Sequence, residues 1–219
     1  MKSQIELSHV GHYFETPHGR VSLFDDLSVT ISSENTVAIM GPSGVGKSSL
    51  LSLAAGLEEP KKGEISYYYH GQPISTVQLR KQSGFIFQQF HLLQELDAVG
   101  NIALPLRLKG NREANAIATE WLEKIGLSDR AKHKPTELSG GEQQRVAIAR
   151  AFVTNPVFIF ADEPTGNLDA KTSGDVSDMM FDFANESGCA LVVVTHSEQL
   201  ARRADKCFQL SDARLDQVK

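Results

Sequence analysis

The sequence predicts an α/β protein: a mainly parallel core sheet, a small antiparallel sheet near the N-terminus, and an inserted helical segment. Three observations carry this prediction. Apolar runs at 37–40, 157–161 and 190–194 have strand length and no alternation, the pattern of strands buried on both faces of a parallel sheet. Helical stretches follow the first run and separate the other two. The stretches at 27–32 and 65–69 alternate apolar and polar residues, which suits a half-buried antiparallel sheet.

In chain order, Ile5 to Val10 reads as the first strand and Thr16-Pro17-His18-Gly19 as a turn. Leu27, Val29 and Ile31 alternate with Ser28, Thr30 and Ser32 in the next strand. The run 37–40 leads into Gly41-Pro42-Ser43-Gly44-Val45-Gly46-Lys47-Ser48. Ser49 then opens a Leu- and Ala-rich helix closed by Gly56. Lys61-Lys62-Gly63 reads as a turn, and Ile65, Tyr67 and Tyr69 alternate as far as His70-Gly71. From Gln88 the pattern is helical: 100–109, then 112–125, where Ile117, Trp121, Leu122 and Ile125 share a face and Gly126 caps the end. A loop and helix span 138–153. Strand 157–161, helix 172–185, strand 190–194, short helix 198–204 and strand 207–210 complete the chain. The expected organisation is one domain over 1–219. In it, 1–87 and 156–219 form the α/β core with its antiparallel part, and 88–155 is the helical insert.

The residues 41–48 fit G-x-x-x-x-G-K-[S/T], set between a strand and a helix as a phosphate-binding loop requires. Glycines let successive backbone N–H groups turn inward around phosphates, and the helix N-terminus adds partial positive charge. Lys47 can reach the outer phosphates. The Ser48 hydroxyl suits Mg²⁺, which keeps most of its waters and takes few protein ligands. An ordinary Gly-rich turn with a surface lysine would need neither the flanking strand nor the helix.

Composition narrows the class. Hydrophobic residues make up 41%, and no apolar run approaches the roughly 18–20 residues of a membrane helix. Met1-Lys2-Ser3-Gln4-Ile5-Glu6 has no signal-peptide core, so a cytoplasmic location is expected. A net charge of −5 and a pI near 5.8 argue against nucleic acid as the main partner. Cys189 and Cys207 lack metal-ligand spacing and read as reduced core residues.

Two acids, Asp162 and Glu163, end the apolar strand 157–161. Sites in parallel sheets form at the carboxyl ends of strands. Asp162 there suits Mg²⁺, held through water, and Glu163 suits polarising a water that attacks a γ-phosphate. Adjacent acids also suit a solvated loop, and the phosphate-binding loop decides between the two. Ser139-Gly140-Gly141-Glu142 precedes a helix with an apolar face and reads either as a second anion site or as a Ser-capped loop.

The run Leu138-Ser139-Gly140-Gly141-Glu142-Gln143-Gln144-Arg145 resembles the signature of ATP-binding cassette (ABC) ATPases. The family's other motifs stand in family order: the phosphate-binding loop, Gln88 after Phe85-Ile86-Phe87, then the signature. Asp162-Glu163-Pro164-Thr165, Asn167-Leu168-Asp169 and His196 complete the series, so the resemblance covers essentially the whole chain. It implies a RecA-like P-loop NTPase core and ATP with Mg²⁺. It also implies an ATP-dependent head-to-tail homodimer in which Ser139, Gly140 and Gly141 contact the other subunit's nucleotide. By the same resemblance Gln88 senses Mg²⁺ and the γ-phosphate, and His196 bonds the γ-phosphate around Glu163. Asn167, Leu168 and Asp169 link the two sites. An aromatic, Phe14 or Tyr13, stacks on adenine.

Phe90-His91-Leu92-Leu93, residues 138–151 and Gly166-Asn167-Leu168-Asp169 are similar to the lipoprotein-release, macrolide-export and cell-division branch. That branch implies an integral membrane permease partner with few helices and an extracytoplasmic domain. The ATPase would then be peripheral on the inner face of the membrane. Gln94, Gly100 and Ala213 depart from the branch, standing where Pro, Glu and Gly are common. The alternative is a soluble ABC ATPase acting on ribosomal or DNA-repair partners. Such forms usually carry two cassettes or a long coiled-coil insert, and this sequence has neither.

Overall fold

A computed structural model describes residues 2–17, 19–33 and 35–219. The chain lays down β1 (Gln4–Thr16), β2 (Gly19–Ser32), β3 (Thr36–Met40), α1 (Lys47–Ala54), β4 (Lys62–Tyr69), β5 (Gln72–Pro73) and α2 (Thr76–Lys81). Next come β6 (Ser83–Phe87), α3 (Ala98–Leu108), α4 (Ala114–Lys124) and α5 (Gly140–Phe152). It ends with β7 (Phe158–Asp162), α6 (Ala170–Ser187), β8 (Ala190–Thr195), α7 (Glu198–Ala201), β9 (Lys206–Ser211) and β10 (Arg214–Gln217).

The larger sheet has the order β10-β9-β3-β8-β7-β6, parallel except for the edge strand β10. Every residue of β8 is buried, as an unbroken Leu-Val-Val-Val run demands. Each such side chain contributes about 1.5–3 kcal/mol when fully removed from water. The smaller sheet, β2-β1-β4-β5, is antiparallel throughout. Its inner face packs with α1 on one side of the large sheet, through Ile5, Phe24, Leu27, Leu50 and Leu53. The opposite side is covered by α5, α6 and α7, through Ile148, Phe152, Val176 and Met180. Helices α3, α4 and α5 bury a third cluster of their own around Ile102, Leu122 and Val146. Helix α5 therefore faces both the core sheet and the helical insert.

The structure differs from the sequence expectation at several points. Lys61-Lys62-Gly63 is not a turn, because only Lys61 bends and β4 begins at Lys62. Gly63 serves close approach there. At φ +75°, its missing Cβ would stand 2.2 Å from the His9 carbonyl oxygen, beside a bulge in the β1–β4 register. The expected turn at 16–19 includes His18, which lies outside the described residues. Besides the two-residue strand β5 and the short 3-10 turns at 128–130 and 135–137, two elements had no expectation. One is α2, opened by a Ser75–Gln78 capping box. The other is β10, joined to β9 by a two-residue turn at Asp212 and Ala213.

Candidate functional site

Strand register decides where the polar residues meet. Met40 of β3 lies opposite Thr195 of β8, Val194 lies opposite Asp162 of β7, and Asp162 lies opposite Phe87 of β6. The four neighbouring strands thus end on one line. The next residues, Gly41, His196, Glu163 and Gln88, emerge at a single carboxyl edge. A cleft of about 860 Å³ opens there.

One wall is the phosphate-binding loop. Ser43, Gly44, Gly46, Lys47, Ser48 and Ser49 line the cleft. Gly44 and Gly46 have φ of +80° and +103°, the left-handed conformations that turn the backbone around an anion. Gly41, Pro42 and Val45 are absent from the lining, and Gly41 and Val45 pack behind the loop. A Cβ on Gly41 would stand 2.5 Å from the Leu210 carbonyl oxygen, and Val45 packs into the core. Helix α1, with Gly46 at its N-cap, has no side-chain cap, as is also true of α4, whereas α2, α3, α5, α6 and α7 are all capped by Ser or Asp. Its first N–H groups therefore remain available to an anionic ligand. The Lys47 side chain is 8% exposed, and its ammonium donates to the carbonyls of Gly41 and Pro42 at 2.9 and 3.0 Å.

The opposite wall carries the acids. The Ser48 hydroxyl donates to Asp162 Oδ1 at 3.0 Å. Burial pushes the Asp162 carboxyl above the usual range, the Ser48 hydrogen bond pulls it down, and the neighbouring Glu163 raises it further. Glu163 sits at φ +44°. Its Oε2 accepts from Thr195 Oγ1 at 3.2 Å and from the His196 backbone N–H at 3.3 Å, and lies 2.9 Å from His196 Nδ1. Its Oε1 faces Lys47 Nζ at 3.9 Å. One oxygen is anchored and the other is turned toward the cation. Thr195, Val21 and Leu23 had not been expected at the site. Thr195 could have been read as the polar residue closing an apolar strand, whereas Val21 and Leu23 reach the cleft only through the pairing of β2.

Gln88 lines the cleft and is clasped by Asn167 from the loop after β7. Phe14 also lines it, 46% exposed, while its neighbour Tyr13 does not. Successive residues of a strand point to opposite faces. The Tyr13 ring is instead covered by the Arg20 guanidinium, 3.3 Å from its centroid.

Ser139, Gly140, Gly141 and Glu142 stand outside this cleft. Ser139 caps α5: its hydroxyl donates to Glu142 Oε2 at 2.8 Å and accepts from the Glu142 N–H at 3.3 Å. The Ser139 backbone and side-chain hydrogen bonds hold the Glu142 carboxyl below its usual range. Gly141 packs on Thr172, whose methyl would be 2.5 Å from a Cβ there. Asp169 caps α6 through the N–H groups of Lys171 and Thr172, and Leu168 lies beside Gly140. The signature therefore lies against Leu168 and Thr172 and contributes nothing to the lining of its own chain's cleft.

A family model described as ABC transporter matches residues 24–166. The chain belongs to the ABC transporter family. It is 40% identical to the uncharacterized ABC transporter ATP-binding protein YbbA of Escherichia coli (strain K12), over 97% of this chain and 96% of that protein. It is 43% identical to the lipoprotein-releasing system ATP-binding protein LolD of Xanthomonas euvesicatoria, over 91% of this chain and 84% of that one. A solved dimer of the ATP-binding cassette MJ0796, in a post-hydrolysis state with ADP and Pi, matches with TM-score 0.84 and 35% identity over 96% of each chain. The expected fold, a P-loop core with an antiparallel sheet and helices, is thus the fold of ABC ATPase cassettes. This cassette is an ATP-binding ABC ATPase. Among its described residues, no helix is long and apolar enough to cross a membrane.

Proposed function

We propose that this cassette hydrolyses ATP as a head-to-tail homodimer and thereby drives an integral membrane permease. One observation carries the reading: the phosphate-binding loop, Asp162, Glu163, Gln88 and His196 share one cleft, while the capped signature helix stands outside it. One chain thus holds two separate halves of a nucleotide site, and a second copy is needed to join them.

In this reading the N–H groups of the loop and of α1 hold the phosphates, and Lys47 exchanges its two carbonyl partners for phosphate oxygens. The residues present suit Mg²⁺: Ser48 and Asp162 offer adjacent oxygens at 3.0 Å with Gln88 nearby, and the bound ion would neutralise phosphate charge. Glu163, its Oε2 anchored by Thr195 and His196, uses Oε1 to accept a proton from the attacking water. His196 also bonds the γ-phosphate. Phe14 stacks on adenine, a role its position in the cleft favours over Tyr13. Ser139 turns its hydroxyl from Glu142 to the other subunit's γ-phosphate, joined by Gly140 and Gly141. Asn167, Leu168 and Asp169 carry the state of one site to the other. The whole chain acts as one cassette, with 88–155 carrying the signature and the permease-facing surface.

The relative LolD supports placing the protein in lipoprotein release, with macrolide or peptide export and related mechanotransmission as neighbouring roles. The permease would be of the few-helix type with an extracytoplasmic domain, and the cassette would sit on the inner membrane face. The test is the Glu163→Gln form with ATP and Mg²⁺. Light scattering should report a dimer that dissolves when ATP is removed, and detergent pull-down should recover a few-helix membrane protein. A monomer with ATP bound would overturn the dimer reading, and ribosomal or DNA-repair partners would overturn the transporter reading.

A further inference from the structure

The loop after β7 meets Gln88 in a closed hydrogen-bond ring. Asn167 Nδ2 donates to the Gln88 main-chain oxygen at 2.9 Å, and Gln88 Nε2 donates to Asn167 Oδ1 at 3.1 Å. A backbone carbonyl can only accept, so it must face the NH₂ group of Asn167. That choice leaves Oδ1 as the atom presented to the Gln88 side chain, and an oxygen there demands the NH₂ group of Gln88. Both amides are therefore assigned by one acceptor that cannot change its character. The remaining atom, Gln88 Oε1, makes no hydrogen bond within the described residues and belongs to a side chain lining the cleft. Gly166 makes room for this arrangement, since a Cβ at that position would lie 2.8 Å from Gln88 Nε2 and 3.2 Å from its Cδ.

We propose that Asn167 is a positioning residue that fixes the Gln88 amide with its oxygen, not its nitrogen, toward the Mg²⁺ and γ-phosphate end of the cleft. The inference rests on reading the cleft as the ATP site. Without Asn167, the amide rotates and presents a donor to the cation in part of the population. With it, a lone pair is set before the ligand arrives, the service a partner one step removed performs for a metal ligand. This role belongs to Asn167 within its own chain and does not need a second subunit.

The test compares binding of a nonhydrolysable β,γ-imido ATP analogue in excess Mg²⁺ and in EDTA, on the full-length chain. The ratio of the two affinities measures how far the cation strengthens nucleotide binding. Asn167→Leu, at an exposed position, should lower that ratio by about tenfold while leaving affinity in EDTA unchanged. Asn167→Ala should do the same, and Gln88→Leu should lower the ratio at least as much. In Gln88→Glu both terminal atoms are oxygens, so there is nothing left to orient. Adding Asn167→Leu to it should cost the ratio nothing more. An unchanged ratio in Asn167→Leu with a reduced one in Gln88→Leu would overturn the orienting role alone. Unchanged ratios in both would also overturn Gln88 as a cation-side group. An equal loss in EDTA, or a further loss in the Gln88→Glu background, would show that Asn167 only supports the loop.

Discussion

At the residue scale, the site holds two neighbouring acids whose surroundings differ. Glu163 has two hydrogen-bond donors and the His196 ring nitrogen around one oxygen, whereas Asp162 is partly desolvated and has Ser48 as its hydrogen-bond partner. Burial raises the Asp162 carboxyl, so the folded chain holds its proton more tightly than the unfolded one. The nucleotide-free chain therefore loses stability as pH rises from the ordinary carboxylate value, about 3.9, through the raised folded value, and the loss persists above it. Asn at this position keeps an oxygen for Ser48 and carries no charge. Asp162→Asn should raise the Tm of the nucleotide-free chain by a few degrees at neutral pH, flatten its dependence on pH across the acid range, and abolish Mg²⁺-dependent turnover. Thermal scans of the nucleotide-free chain across pH check the first two, and phosphate release checks the third. An unchanged Tm at neutral pH would mean that the desolvation carries no cost.

At the scale of elements, caps and turns decide where the chain stops and starts. The start of α1 has no capping side chain, which leaves its first N–H groups free for a ligand, while the signature helix caps itself with Ser139 and Glu142. The β9–β10 hairpin shows the opposite, a local mismatch. Asp212 and Ala213 both have positive φ, +47° and +62°, as a two-residue turn matched to the sheet twist requires. Aspartate tolerates this conformation, but an alanine Cβ crowds the carbonyl oxygen. Ala213→Gly should stabilise the chain by about 1 kcal/mol in urea unfolding without altering turnover. Destabilisation would mean that packing of the Ala213 methyl against the core outweighs the strain it carries. Ala213, one of the three departures from the branch, thus sits at a position whose backbone favours glycine.

At the scale of the whole molecule, the phosphate-binding loop lines the cleft and the signature does not, and under the proposed head-to-tail dimer each site would be made from both chains. Lys47→Ala removes a loop half, and Ser139→Arg blocks a signature half. Each alone should turn over little ATP, and the Ser139→Arg form should still bind it. Mixed in equal amounts, they form heterodimers with one intact site, made from the loop of the Ser139→Arg chain and the signature of the Lys47→Ala chain. Steady-state phosphate release should therefore recover partly on mixing. No recovery would argue that both sites must be intact together, and full activity of Ser139→Arg alone would overturn the shared site.

Chemistry carried by short contiguous runs was legible in the chain itself. The loop 41–48, the acids after the apolar strand and the signature each need only neighbours in sequence, because phosphate cradles and capped helix starts are local structures. Buried parallel strands announced themselves by continuous apolar runs, since both faces are covered. Other features required distant parts of the chain to be brought together. Phe14 was favoured over Tyr13 only by family spacing, and the pairing of β1 with β2 and the packing of that sheet on α1 are what turn Phe14 toward the cleft. The extension of β4 through Lys62-Gly63 depends on a bulge in another strand. The Thr195 anchor on Glu163 and the Asn167 clasp on Gln88 join residues 32 and 79 positions apart. A side chain's direction and the partner of an amide are set by strand register, and register is a property of the assembled sheet.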